Sequence, residues 1–298
     1  MLKLLCENTW GVIRDNKIVV QARYWFYPHV PEQHSLYKTG IIGEFECVSS
    51  AKYSESALLF SKLEEVLKEK GATRIIGPMN GNTWQNYRLT TFYGNKPAFT
   101  LEPYTPEYFI RHWLHSGFIP HETYSSYLSR VNTWEDKRVE RLHDKFSHLI
   151  FRKIEEEDLS PIFDLSLSSF AKNPYYIPID KETYLEKYGK MLLLLQPNLS
   201  WVVYDKEKLV GYVFAVMNQQ SVDKVNDSVI LKTAAIDEGR QYAGLGVYLL
   251  SKLMSEVKEK EIDYVIHALM YDKNPVQNII KTNSEKMRGY TLYKKDIV

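Results

Sequence analysis

Apolar positions along this chain recur with two spacings, one of 2 residues and one near 3.6, and the alternation between them divides the sequence into strands and helices. In the first half, KIVVQARYWFY (Lys17–Tyr27), IIGEFECV (Ile41–Val48) and RIIGPMN (Arg74–Asn80) read as strands. Between the last two lies a helical stretch with Leu59, Leu63, Val66 and Leu67 on one face, and Gly71 ends it. A second helix is predicted over TPEYFIRHWLHSGF, closing at Gly117, followed by the strand HETYSSYLSRV. The second half starts with the strand HLIFRKI (His148–Ile154). Helices follow over 155–170 and 180–194, joined by the loop AKNPYYIPI. A hairpin runs from Trp201 to Asn218 and turns near Asp205 to Lys208. Then come the strand LKTAAIDE (Leu231–Glu238), a helix with Leu249, Leu250, Leu253 and Val257 on one face, and the strand YVIHALMY (Tyr264–Tyr271). A helix from about Pro275 to Arg288 and a last strand near YTLYKKDI complete the order β-α-α-β-β-β-α-β-α-β. The charged stretch Thr133–His148 has few turn residues and reads as a helical linker, with the divide between the halves near residues 135 to 147.

The chain repeats itself. SKLEEVLKEKGATRII (Ser61–Ile76) aligns without a gap with SKLMSEVKEKEIDYVI (Ser251–Ile266), and each copy reads strand, turn, helix, strand. Strands flanking a helix imply a right-handed crossover and neighbouring parallel strands. The two copies differ at the turn before the helix. The second has Gln241-Tyr242-Ala243-Gly244-Leu245-Gly246, preceded by Arg240, where the first has Ala51, Ser54 and Ser56 in place of Gln241, Gly244 and Gly246. Glycines permit close backbone approach, and the N–H groups at a helix start attract phosphate oxygens. Neither the Rossmann nor the P-loop spacing is present.

Composition narrows the classes. With 298 residues, 38 basic and 37 acidic side chains and a net charge of +1, the chain has no bulk charge for nucleic acid or a membrane surface. Cys6 and Cys47 form no metal-binding spacing, and a reduced cytoplasmic setting is the simpler expectation. The N-terminus carries no signal-peptide pattern, and the longest compact apolar run, Met191 to Leu195, is too short to span a bilayer.

A Q-x-x-G-x-G turn between strand and helix, within that element order, resembles the acyl-CoA pyrophosphate loop of GNAT-type N-acetyltransferases. The resemblance covers about 150 residues of the second half, and the repeat extends it to tandem GNAT proteins. Gly40 to Cys47, GPMN (Gly77–Asn80) and EPYTPEYF look like the N-terminal half of a bacterial family of such proteins. The resemblance implies an α/β fold with a mixed sheet in two tandem GNAT-like domains. Residues 1–140 would form a degenerate domain and 141–298 an acetyltransferase domain. It further implies acetyl-CoA as co-substrate without a metal, and direct attack by a small-molecule amine on the thioester. No nucleic-acid or membrane partner is implied, and a monomer or homodimer is expected. Ile236, Asp237, Arg240, Gln241, Tyr242, Ala243, Gly244, Leu245, Gly246 and Asn278 are the expected CoA-binding residues. A backbone N–H between Thr233 and Asp237 would stabilise the oxyanion.

Asn278 and Gly289-Tyr290 fall where the family often has the Asn and Gly-Phe of its last helix. The family's frequent acid, a tyrosine four residues before that Gly, is Glu285 here. Tyr271, Tyr290 or Tyr293 are its possible substitutes, and His267 is the candidate base. Glu238 can hold a water linked to the base, or is a solvated turn residue. Tyr175 and Tyr176 either line the acceptor pocket or form a rigid lid, whereas Trp84, Tyr87 and Arg88 form a vestigial pocket in the first half or, as the safer reading, pack. A transferase using another acyl donor and a non-catalytic acyl-CoA or metabolite sensor are the competing readings.

Overall fold

The computed structural model describes residues 1–27, 38–195, 198–220, 228–274 and 276–297. The first half contributes β1 (Leu2–Cys6), β2 (Thr9–Arg14), β3 (Lys17–Tyr27), β4 (Thr39–Cys47), α1 (Tyr53–Glu69), β5 (Arg74–Gly77), β6 (Leu89–Phe92), α2 (Tyr108–His115) and β7 (Ile119–Arg130). The second contributes α3 (Val139–Phe146), β8 (Ile150–Lys153), α4 (Leu159–Phe170), α5 (Lys181–Leu192), β9 (Trp201–Asp205), β10 (Lys208–Met217), β11 (Ser228–Ile236), α6 (Leu245–Glu259), β12 (Tyr264–Tyr271), α7 (Gln277–Ile280) and β13 (Ser284–Asp296).

All these strands join one mixed sheet, in the order β1-β2-β3-β4-β5-β13-β7-β12-β11-β10-β9-β8, with β6 also on β13. The order shows an exchange. β7, from the first half, pairs antiparallel with β12 of the second. β13, from the second half, pairs antiparallel with β5 and β6 of the first. The two exchanged strands pair with each other from Ser284↔Ser129 to Lys294↔Ile119. The repeat is real in space: α1 and α6 end at Glu69 and Glu259, and each helix links two parallel strands, β4 with β5 and β11 with β12.

Helices cover both faces of the sheet in the second half, and in β10 every residue from Leu209 to Val216 is buried. One core packs α6 and α3 on the second half, and another packs α4 and α5 on its opposite face. The charged stretch expected as a linker is helical over α3. It is also part of the core, because Leu142 and Phe146 are buried beside α6.

The expected helix from Pro275 to Arg288 is corrected. Pro275 lies outside the described residues, α7 covers only four residues, and the chain is already extended at Ser284. Gly289 and Tyr290 therefore sit in mid-strand and not at a helix end. The ladder to β7 outweighs the helix propensity of this segment. It also places Arg288 in the interior, where Nε donates to Glu102 Oε1 at 2.8 Å and Nη2 to the carbonyls of Lys96 and Pro97.

Both side chains of the Arg288–Glu102 pair are essentially fully buried. Removing one partner strands the other charge. Glu102→Ala is expected to lower unfolding stability by about 3–5 kcal/mol in urea titrations. The double variant Arg288→Met/Glu102→Leu should be less destabilised than Glu102→Ala alone, and a double variant as unstable as the summed singles would contradict this account.

Candidate active site

β11 and β12 run parallel only from Ser228↔Tyr264 to Leu231↔His267. Beyond that pair both strands continue, to Ile236 and Tyr271, without pairing to each other. Two bulges mark the point of divergence. On β11, Phe214↔Thr233 is followed by Ala215↔Leu231, so Lys232 is the extra residue. On β12, the register to β7 shifts between His267 and Met270, with Leu269 at φ 58°. A bulge bends its strand and re-aims a side chain. The wedge so opened is part of a cavity of about 800 Å³.

The loop after β11 leads into α6. The hydroxyl of buried Tyr242 donates to Asp205 at 2.8 Å, and Lys145 Nζ donates to the Ala243 carbonyl at 2.7 Å. Asp237 accepts from Gly239 N and pairs with Lys208, and its carboxyl is held below the usual range chiefly by the Lys208 hydrogen bond. Gly244 takes φ +96°, and a Cβ there would meet Leu142 at 2.8 Å. Gly246 differs: its φ is not left-handed, and a Cβ would find only an ordinary contact, 3.7 Å from Ile236. Packing explains Gly244 and leaves Gly246 unexplained. Gly246 is exposed and lines the cavity beside the first turn of α6, whose leading N–H groups have no carbonyl within the helix. Leu245 is buried in the core, whereas Arg240, Gln241 and Ala243 are exposed on the loop.

The first half closes the equivalent places with its own side chains. Ser56, at the position of Gly246, is fully buried against His112 Nδ1. Glu55 accepts from Lys52 N and from Arg14 at the start of α1. Gly43 on β4 lies so close to the Met79 carbonyl that a Cβ would come within 2.0 Å, and Asn80 Oδ1 accepts from Glu44 N at 2.8 Å. The GPMN segment thus fills the wedge beside β4.

The structure distributes the expected catalytic residues unevenly. His267 lines the cavity, but it is 1% exposed, Nε2 bonds Ser129 Oγ at 2.8 Å, and burial pushes its pKa down to about 3. That leaves a neutral imidazole far too weakly basic for a base poised near neutrality. Glu238 is exposed and paired with Lys172 at 2.6 Å. Tyr271 lines the cavity, and its hydroxyl donates to Glu122 Oε2 at 2.6 Å. Burial, reinforced by that bond, raises its pKa. Tyr290 and Tyr293 are buried elsewhere, and Glu285 is exposed on β13. Asn278 is exposed too, its carbonyl accepting from Thr282, while Asn274 lines the cavity. Tyr176 lines the cavity, with its hydroxyl pushed up to about 12 by burial; Tyr175 instead packs with Ile41, Ile76 and Tyr290 and bonds His121.

Lys187 and Lys232 were not anticipated in the cavity, and residues of the first half reach it as well. Trp84, Tyr87 and Arg88 do not merely pack within the first half: they form a wall opposite β11 and β12. Trp84 Nε1 donates to the Ile177 carbonyl at 3.1 Å, and its ring meets Phe170, Tyr176 and Tyr184 edge-on or tilted. Arg88 lies between the rings of Tyr87 and Tyr124, 3.9 and 4.1 Å from their centroids, and donates to the Leu269 carbonyl at 3.2 Å. Lys187 reaches the Trp84 carbonyl. Lys232, at the bulge, is pushed down to about 8, first by burial and then by the Arg88 and Lys187 charges.

The buried His267 makes an acid prediction. The unfolded chain takes up a proton on this imidazole below about pH 6.5, and the folded protein does not. Stability is therefore lost as pH falls from 7, by about 2 kcal/mol near pH 5 from this group. His267→Gln should flatten the pH dependence of urea unfolding by that amount, and an unchanged slope would mean that the imidazole protonates in place.

No family model matches the chain, and no curated protein does. Solved structures do. The GCN5-related glucosamine N-acetyltransferase region of a fungal multi-domain GH3 β-N-acetylglucosaminidase aligns at TM-score 0.57 and 11% identity, over 96% of this chain. This chain spans only 33% of that larger one. A GCN5-related N-acetyltransferase from Sphaerobacter thermophilus aligns at TM-score 0.54 and 9% identity, over 99% of this chain and 82% of the other. A tandem GNAT protein from the clavulanic acid biosynthesis pathway aligns at 0.52 and 10%, over 97% and 82%. With the internal repeat, the diverging parallel strands and the glycine turn at α6, these likenesses give the chain the tandem fold of the GCN5-related N-acetyltransferases.

Proposed function

We propose that the protein is an N-acyltransferase that moves an acyl group, in the first instance acetyl, from acyl-CoA to the amine of a small molecule. One observation carries this reading. Gly246 has no steric reason to lack a side chain, yet it stands uncovered at the helix start beside the wedge between β11 and β12. The loop Arg240–Gly246 would hold the pyrophosphate through the leading N–H groups of α6, with the thioester directed into the wedge. N–H groups of β11 beyond Leu231 that face the wedge have no partner on β12, which suits them to the oxygen of a thioester under attack. The amine nitrogen bonds the carbonyl carbon, the C–S bond breaks, and sulfur leaves with the electron pair. Orientation in a shaped cavity supplies much of the rate.

Tyr271 is the catalytic candidate that lines the cavity and carries a proton, and its hydroxyl would turn from Glu122 to protonate the departing thiolate. Glu122, which accepts that hydroxyl, and Lys273, which donates to Glu122, fix its position. Water and the Tyr271–Glu122 pair together would relay the amine proton outward.

Two substitutions test this. Gly246→Glu places an anion at a helix N-terminus, which favours the fold and repels a pyrophosphate. The thermal midpoint should hold while acetyl-CoA binding by calorimetry is lost; undiminished binding rules out the loop assignment. Tyr271→Phe should keep acetyl-CoA affinity and lower kcat by a factor on the order of 10² in a thiol-release assay. An unaltered kcat would exclude Tyr271 as the acid.

A further inference from the structure

Three cations that have no carboxylate partner among the described residues line the cavity: Arg88 and Lys187 across from the wedge, and Lys232 at the bulge of β11 where the wedge opens. Arg88 is 5% exposed, and among the described residues its side chain has only the Leu269 carbonyl and the rings of Tyr87, Tyr124 and Tyr290 as partners, with Nε unpaired. Among the described residues, Lys187 meets only a backbone carbonyl and the Gln85 side chain. Lys232 has no hydrogen-bond or ion-pair partner among the described residues. The one carboxylate lining the cavity there, Glu102, is already spent: Oε1 accepts from Arg288 and Tyr290, and Oε2 from Phe99 N.

Arg88 is buried, Lys187 and Lys232 are half-buried, and three like charges gathered there are unfavourable without an anion. A buried charge costs several kcal/mol unless it is paired. Cation–π contact offsets part of this for Arg88 but leaves its Nε without an acceptor. The three cations come from separate elements: the segment before β6, helix α5 and the bulge of β11. Both halves of the chain therefore contribute to one positive lining. A bulge at Lys232 turns a residue in the middle of a core strand into this cavity.

We propose that the acceptor is an amine that also carries an anionic group, a carboxylate or a phosphate, and that Arg88, Lys187 and Lys232 bind that group. The proposal rests on the acyltransferase reading for the word acceptor, but the anion site stands on its own residues. It makes the ammonium end of the acceptor, and not its anionic end, the end presented to the thioester. A second cationic group on the acceptor would be repelled by the same cations.

A matched set of amines with a two-carbon spacer tests it: β-alanine, O-phosphoethanolamine, ethanolamine and ethylenediamine, which differ only in the group at the far end. Binding of each to the full chain is followed by calorimetry with and without saturating CoA, so that turnover is not required. At least one anionic amine should bind about tenfold or more tightly than ethanolamine, with ethylenediamine weakest. The carboxylate and phosphate arms show which anion fits. Lys232→Met, and separately Lys187→Met in case the first misfolds, should remove most of that preference and leave CoA affinity unchanged. Equal binding of all four amines overturns the proposal. So does a preference that survives both substitutions, or a loss confined to CoA affinity, which would assign the cations to a phosphate of the donor. Thiol release from acetyl-CoA with the same amines then reads the acyltransferase reaction separately. Anion binding without thiol release would leave the site in place and count against the enzyme.

Discussion

The antiparallel ladder between β7 and β13 fixes everything else. Each strand has been given by one half of the chain to the sheet of the other, and they pair along nearly their whole length, from Ser284↔Ser129 to Lys294↔Ile119. β7 in turn holds β12, through pairs that include His267↔Tyr127, and β13 holds β5, through Tyr293↔Gly77. The wedge between β11 and β12 needs a firm outer edge if the strands are to stay apart without hydrogen bonds between them. β7 is that edge. Its Ser129 takes His267 Nε2, and its Ser126 accepts the Leu269 amide at the bulge. A site that reads as belonging to the second half is thus braced by a strand of the first.

Local patterns carried much of this architecture in the sequence. The boundaries of β3 and β12 follow directly from their apolar runs, and the repeat locates α1 and α6. The glycine turn before α6 was legible because it combines a fixed spacing with a flanking strand and helix. What escaped was nonlocal. The segment NSEKMRG has good helix formers, and only the ladder to β7 and the Arg288–Glu102 contact make it a strand. The exchange of strands leaves no trace in periodicity, because β7 and β13 look the same whichever sheet receives them. Lys232 was invisible for a related reason. In LKTAAID a lysine between Leu231 and Thr233 reads as a solvent-facing position of an alternating strand, and only the one-residue slip against β10 brings it into the cavity.

The two glycines of the turn carry different weight. Gly244 satisfies two demands of the fold, a left-handed backbone and room for Leu142. Any substitution there would disturb the protein whether or not a ligand binds. Gly246 has neither demand, and its counterpart Ser56 shows that the same helix begins well with a side chain in that place. The internal repeat thereby separates a structural glycine from one that awaits another explanation.

The first half also changes meaning. Its own wedge is filled by Met79 and Asn80, and the start of α1 is occupied by Glu55 and Arg14. Having closed those places, it extends the next segment across the sheet. There Trp84 enters the aromatic cluster of α4 and α5, and Arg88 is clamped between Tyr87 and Tyr124 with its Nη1 on the β12 bulge. A guanidinium held this way has little freedom to leave for water, so its charge is a fixed property of the cavity. Two GNAT-like halves, one with an open glycine turn and one without, contribute asymmetrically to the cavity: the second gives the diverging strands, α5 and the start of α6, and the first adds Trp84, Tyr87 and Arg88.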